Sequence, residues 1–131
     1  MTRTLIYNST SKAKKIYRAT LDAQLAAIEY INSGIKVVKG TTAAQKANEV
    51  LEKNGFPQIP HGLGHGIGLE VHEIPHLSPK TDDILIKNQV FSVEPGIYIP
   101  GFGGVRIEDT VYYNGNSLEL LTHSTKEITE V

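Results

Sequence analysis

The spacing of the apolar residues changes at Pro57 and Pro60, and this change sets the order in which the chain can build its layers. Before it, Tyr17, Leu21, Leu25, Ile28 and Ile31 recur every three or four residues, the period of one face of a helix. The run Ser9-Thr10-Ser11 offers N-caps and Gly34 a stop, so a long amphipathic helix is expected between them. A second helix is expected from Thr42, where Gln45 completes a capping box, to Gly55, burying Ala44, Ala47, Val50 and Leu51. Thr4 to Tyr7 has the composition of the end of a strand. After the prolines, glycine, histidine and β-branched residues dominate, which favours strands and tight loops. Val90 to Ile99 reads as a strand interrupted at Pro95-Gly96, and Gly104 to Tyr113 as another, turning at Asn114-Gly115 into Leu118 to Leu121. Helices followed by antiparallel strands define an α+β fold.

A chain of 131 residues that is 40% hydrophobic can bury one core without staples. It contains no cysteine, which excludes disulfides, thiolate zinc sites and thiol nucleophiles and fits a cytoplasmic location. Thirteen basic and fourteen acidic side chains are spread along it, so no broad field draws nucleic acid or an anionic membrane. No apolar run approaches the roughly 20 residues needed to span a bilayer, and the first residues lack the apolar core of a signal peptide.

Chemistry concentrates after Pro60. His61-Gly62-Leu63-Gly64-His65-Gly66-Ile67-Gly68-Leu69-Glu70-Val71-His72-Glu73 sets three histidines among four glycines. Glycine permits close approach of backbone or ligand, and neutral imidazole is the commonest protein metal ligand. The competing reading is a flexible loop with solvated imidazoles. Glu94 and Glu108 follow in Phe91-Ser92-Val93-Glu94-Pro95-Gly96 and Val105-Arg106-Ile107-Glu108-Asp109, among β-branched neighbours. On an interior strand such a charge costs several kcal/mol unless it is paired or bound to metal. On a wet sheet face it costs little, and Arg106 with Glu108 would then form an ordinary same-face ion pair.

Taken in order, the histidine-glycine segment, Val-Glu-Pro-Gly-Ile-Tyr and Gly-Val-Arg-Ile-Glu-Asp-Thr resemble the C-terminal signatures of the metallopeptidases that include methionine aminopeptidases and Xaa-Pro dipeptidases, with the dipeptidase branch the nearer. The resemblance covers nearly the whole chain. It implies a pita-bread fold, two helices packed on a mainly antiparallel curved sheet, and hydrolysis of the peptide bond preceding proline. It also implies roles. His65 and Glu94 would ligate one metal, Glu94 would take the proton of the attacking water, and Glu108 would bridge two metals. His61 and His72 would contact substrate or stabilise the tetrahedral intermediate, with Arg106 beside them. One imidazole among carboxylates suits manganese or cobalt.

The family's two remaining ligands are aspartates, the second in a pattern like Ser-Asp-Met-Thr-Arg-Thr. This chain opens at Met1-Thr2-Arg3-Thr4, one residue beyond it, and Asp22, Asp82, Asp83 and Asp109 do not lie where they could replace the pair. Residues 1–131 are therefore expected to be the C-terminal part of a catalytic domain whose N-terminal half is missing. As given, the chain should hold no more than one of the two ions, weakly, should be inactive, and should self-associate through exposed apolar surface. The partner expected for the intact enzyme is a proline-containing di- or oligopeptide. A peptide- or protein-binding module that has lost its metals is the main alternative, and a mononuclear iron site with one histidine and two carboxylates a weaker one.

Overall fold

The structure is a computed structural model of residues 1–131. In chain order the elements are β1 (Leu5–Ile6), α1 (Ser11–Ile31), α2 (Gly40–Lys53), β2 (Gly64–Gly66), β3 (Glu73–Leu77), β4 (Gln89–Val93), β5 (Gly96–Ile99), β6 (Gly103–Arg106), β7 (Asp109–Tyr113), β8 (Leu118–Leu120) and β9 (Thr129–Glu130). The expected α+β order holds. Two helices pack against each other and against a sheet of order β3-β2-β4-β7-β8, antiparallel throughout.

Thr10 caps α1, its hydroxyl accepting the Ala13 amide at 3.1 Å, and Gly34 follows the helix in the left-handed region at φ 77°. The helical period is as read from the sequence, but the buried face is rotated. Leu25 is 46% exposed, and the residues turned inward include Ala19, Ala23, Gln24 and Ala27. Alanines let α1 lie close to Ala43, Ala44 and Ala47 of α2, whereas a leucine row would hold the helices apart. The second helix begins two residues before Thr42. Lys39 is its N-cap without a side-chain bond, the Gly40 amide donates to Asp83 O at 2.9 Å, and the Thr41 hydroxyl donates to Thr81 O. Tertiary partners replace the expected capping box. At its end the Phe56 amide reaches back to Leu51 O at 3.0 Å, and Gly55 takes φ 79°.

The strand expected from Gly104 to Tyr113 is two strands, β6 and β7, parted at Ile107-Glu108 opposite the break that Pro95 makes between β4 and β5. The break leaves the register unchanged. Val93 faces Asp109 on one side of it and Gly96 faces Arg106 on the other, so the same register sets Glu94 opposite Glu108. Alternation then turns Phe91, Val93, Asp109 and Val111 toward the helices, all buried, and Ser92, Glu94, Glu108 and Thr110 toward the opposite face. A short parallel pair, β1 with β9, ties the two ends of the chain together; β9 has no distinct signature in the sequence.

Candidate metal and substrate site

Strand β2 is an alternation of glycine and histidine because it lies very close to its neighbours. A Cβ on Gly64 would stand 1.8 Å from Ser92 O, and one on Gly66 would stand 2.1 Å from Ile74 O. His65, between them, projects from the face that carries Ser92 and Glu94. Its amide donates to Ser92 Oγ at 3.1 Å, and Ser92 Oγ donates in turn to Glu94 Oε1 at 2.8 Å.

The His65 ring lies with Nδ1 3.0 Å from Gly66 O and Nε2 3.2 Å from Glu94 Oε1. A carbonyl only accepts, so Nδ1 carries the hydrogen and, in the neutral ring, Nε2 presents a lone pair to the carboxylate. Two lone pairs face each other at that distance comfortably only with a cation between them, either a proton or a metal ion. An imidazole nitrogen and a carboxylate oxygen are donors of the kind a divalent cation takes, and they supply two of the several such an ion needs. Glu108 completes the face from β7's side of the break. Its Oε2 accepts the Thr2 hydroxyl and lies 3.6 Å from the Met1 nitrogen, and no Arg106–Glu108 ion pair forms. Like charges opposite one another in a ladder repel, so the facing pair Glu94 and Glu108 needs compensation at this point of the sheet. As the side chains stand, no three His, Asp or Glu groups are gathered around a single ion position.

The cleft beside this pair has a volume of about 390 Å³ and is lined by His61, His65, His72, His76, Glu94 and Arg106, with Gly62 and Gly64. Glu108 opens onto an adjoining groove shared with His65 and the 67–71 loop. His72 stacks against His65 with centroids 4.2 Å apart. Both nitrogens of His61 are engaged: Nδ1 donates to Gly62 O at 2.7 Å, and Nε2 accepts the Tyr98 hydroxyl at 2.9 Å. Tyr98 can lie there because its cross-strand partner is Gly104 and its ring passes over Gly96; a Cβ at either would meet the ring or its hydroxyl within 2.8 Å. The same hydroxyl, and then the charges of Glu94 and Glu108, hold Arg106 above its ordinary pKa against the effect of burial.

Two residues of this site escaped the sequence reading. Tyr98 is one, although the glycines at 96 and 104 were a signal that something large lies over them. His76 is the other: it belongs to the cleft wall, and Asp83 Oδ2 accepts both its amide at 2.7 Å and its ring Nδ1 at 3.1 Å. These bonds, the backbone one foremost, lower the Asp83 pKa.

The helical pair on an antiparallel sheet, with two facing glutamates at the sheet's break and a histidine on the neighbouring strand, is the frame of a known class of enzyme: the chain belongs to metallopeptidase family M24, whose sequence pattern matches residues 1–114. It is 40% identical over 129 residues to the Xaa-Pro dipeptidase of Pyrococcus horikoshii, covering 98% of this chain and 36% of that protein. The crystal structure of a dipeptidase from the same organism superposes with a TM-score of 0.89 at 35% identity, covering 98% of this chain and 36% of that one. The Xaa-Pro dipeptidase of Bacillus anthracis gives 0.88 at 39% identity, with the same coverage. The chain thus spans about a third of the length of the relatives it matches. Those neighbours share its fold, and the family is one of peptidases. No helix is long and apolar enough to cross a membrane.

Proposed function

We propose that the chain is the C-terminal, metal-binding part of a dinuclear peptidase that cleaves the bond preceding proline in a di- or oligopeptide. The observation that carries this reading is the placement of Glu94 opposite Glu108, with His65 Nε2 facing Glu94 Oε1 at 3.2 Å. His65, Glu94 and Glu108 would hold two divalent ions, manganese or cobalt, together with two aspartates from outside these 131 residues. Bound there, the ions would acidify a water between them and polarise the scissile carbonyl.

The chain's own groups then have distinct tasks. Glu94 Oε1 is occupied by Ser92, which leaves Oε2 to accept the proton of the attacking water. His72, on the wall beside His65, donates to the developing oxyanion. Arg106 and His61, the latter held by the Tyr98 hydroxyl, line the polar wall against which the substrate is oriented. Without the aspartates the chain alone holds a single ion weakly and turns over no peptide, since two like-charged cations need more negative charge than three side chains supply.

The test is proline release from an Xaa-Pro dipeptide in manganese or cobalt, by the intact reading frame and by the 131-residue chain. Turnover by the former that Glu94→Gln abolishes is expected. Turnover by the chain alone that Glu108→Ala removes would overturn its inactivity, and inactivity of the intact protein with peptide binding retained would favour a binding module.

A further inference from the structure

Gln24 is the largest polar side chain buried in the middle of α1, at 0% exposure, and it takes no part in the helix's own hydrogen bonding. Its Nε2 donates to Val93 O at 3.0 Å and to Ile107 O at 3.3 Å, and its Oε1 accepts Lys126 Nζ at 3.2 Å. Val93 and Ile107 immediately precede the two glutamates, so these carbonyls belong to the peptide groups that lead into Glu94 and Glu108. The other end of each peptide group is also held: the Glu94 amide donates to Leu63 O at 2.7 Å and the Glu108 amide to Thr2 O at 3.0 Å. A planar peptide fixed at both its carbonyl and its amide cannot rotate. One side-chain amide, with its two hydrogens in a rigid plane, thereby fixes two such groups relative to each other where the ladder between β4 and β7 gives way to that between β5 and β6.

We propose that Gln24 is a positioning residue that sets the separation of Glu94 and Glu108 from the far side of the sheet. The inference rests on the reading of those glutamates as metal ligands only for its consequence in ion binding; the constraint itself is one of backbone geometry. Lys126 orients the amide by occupying Oε1 and is itself anchored on buried Asp109 at 2.8 Å, so the fork cannot flip without breaking that bond.

Gln24→Met keeps the length and volume and removes both donors. The control is Thr20→Val, equally buried one turn earlier, whose hydroxyl bonds only Ile16 O of its own helix at 2.9 Å. Two readouts are taken on the whole chain: Mn2+ affinity by electron paramagnetic resonance, and hydrogen exchange at the Glu94 and Glu108 amides. Gln24→Met is expected to weaken Mn2+ by about ten- to a hundredfold and to speed both amides together. Thr20→Val is expected to change neither. Equal effects in the two variants, or none in Gln24→Met, would overturn the proposal. Absence of Mn2+ binding by the wild type would count against the ligand reading alone, and the paired amide exchange would then decide the positioning claim. Should Gln24→Met not fold, trans-hydrogen-bond couplings from Gln24 Nε2 to the Val93 and Ile107 carbonyl carbons in the wild type decide it, and their absence overturns it.

Discussion

Asp109 shows how one buried charge can be tolerated beside a second carboxylate. Burial alone would raise its pKa, but hydrogen bonds from Lys126, Arg3 and Thr122 outweigh that and hold the carboxyl below its ordinary value. Arg3 Nη2 lies 2.6 Å away, and the same guanidinium donates through Nη1 to Glu108 O at 2.7 Å, so the pair also braces the neighbouring glutamate. A carboxyl with a depressed folded pKa contributes stability above its unfolded value of about 3.9, and that contribution disappears as pH falls through the folded value. Urea unfolding from pH 6 to pH 2 should therefore show the wild type losing stability below about pH 4. Asp109→Asn should be less stable at pH 6 and should show a shallower loss on acidification; equal slopes would contradict the assignment. From the sequence, Asp109 was legible only as part of the Glu108 motif. Its partners Arg3 and Lys126 are more than 100 residues apart in the chain, and no local pattern links them. Gln24 was missed for a related reason. Leu25 fits an apolar period better than Gln24 does, and the carbonyls that make a buried amide favourable lie on distant strands.

The glycines of strand β2 are there for interstrand closeness. Gly64→Ala would drive a methyl into Ser92 O and should lower the free energy of unfolding by about 3 kcal/mol. Gly62→Ala, whose nearest neighbour would be Leu77 O at an ordinary 3.5 Å, should change it by less than about 0.5 kcal/mol. Similar values for the two in chemical denaturation would contradict the packing account. The elements themselves were largely readable: both helices, the break at Pro95 and the turn at Gly115 follow from periodicity and local residue chemistry. The second break, at Ile107-Glu108, was not, because nothing in Val105 to Asp109 interrupts a strand by itself. It is imposed from across the ladder, where Pro95 offers no amide, and from Thr2, which exchanges backbone hydrogen bonds with Glu108.

Across the whole molecule, the helices cover one face of the sheet and the glutamates, histidines and Arg106 lie on the other or at its break. That second face also carries exposed apolar side chains along one loop and strand, among them Leu69 at 105%, Val71 at 73% and Ile74 at 71%. Composition foretold a core, and the three motifs foretold the family. How the site is assembled depended on strand register, which no single motif contains. On the proposed function, His65, Glu94 and Glu108 form one cation-binding constellation although the first and last stand 43 positions apart. Paramagnetic broadening of the 15N-labelled chain by Mn2+ tests this most directly, because it locates even a weakly held ion. The account predicts loss of signal centred on His65, Ser92, Glu94 and Glu108 and its disappearance in His65→Ala. Broadening centred instead on the acidic face around Glu49 and Glu52, or broadening at the site that His65→Ala leaves unchanged, would contradict it.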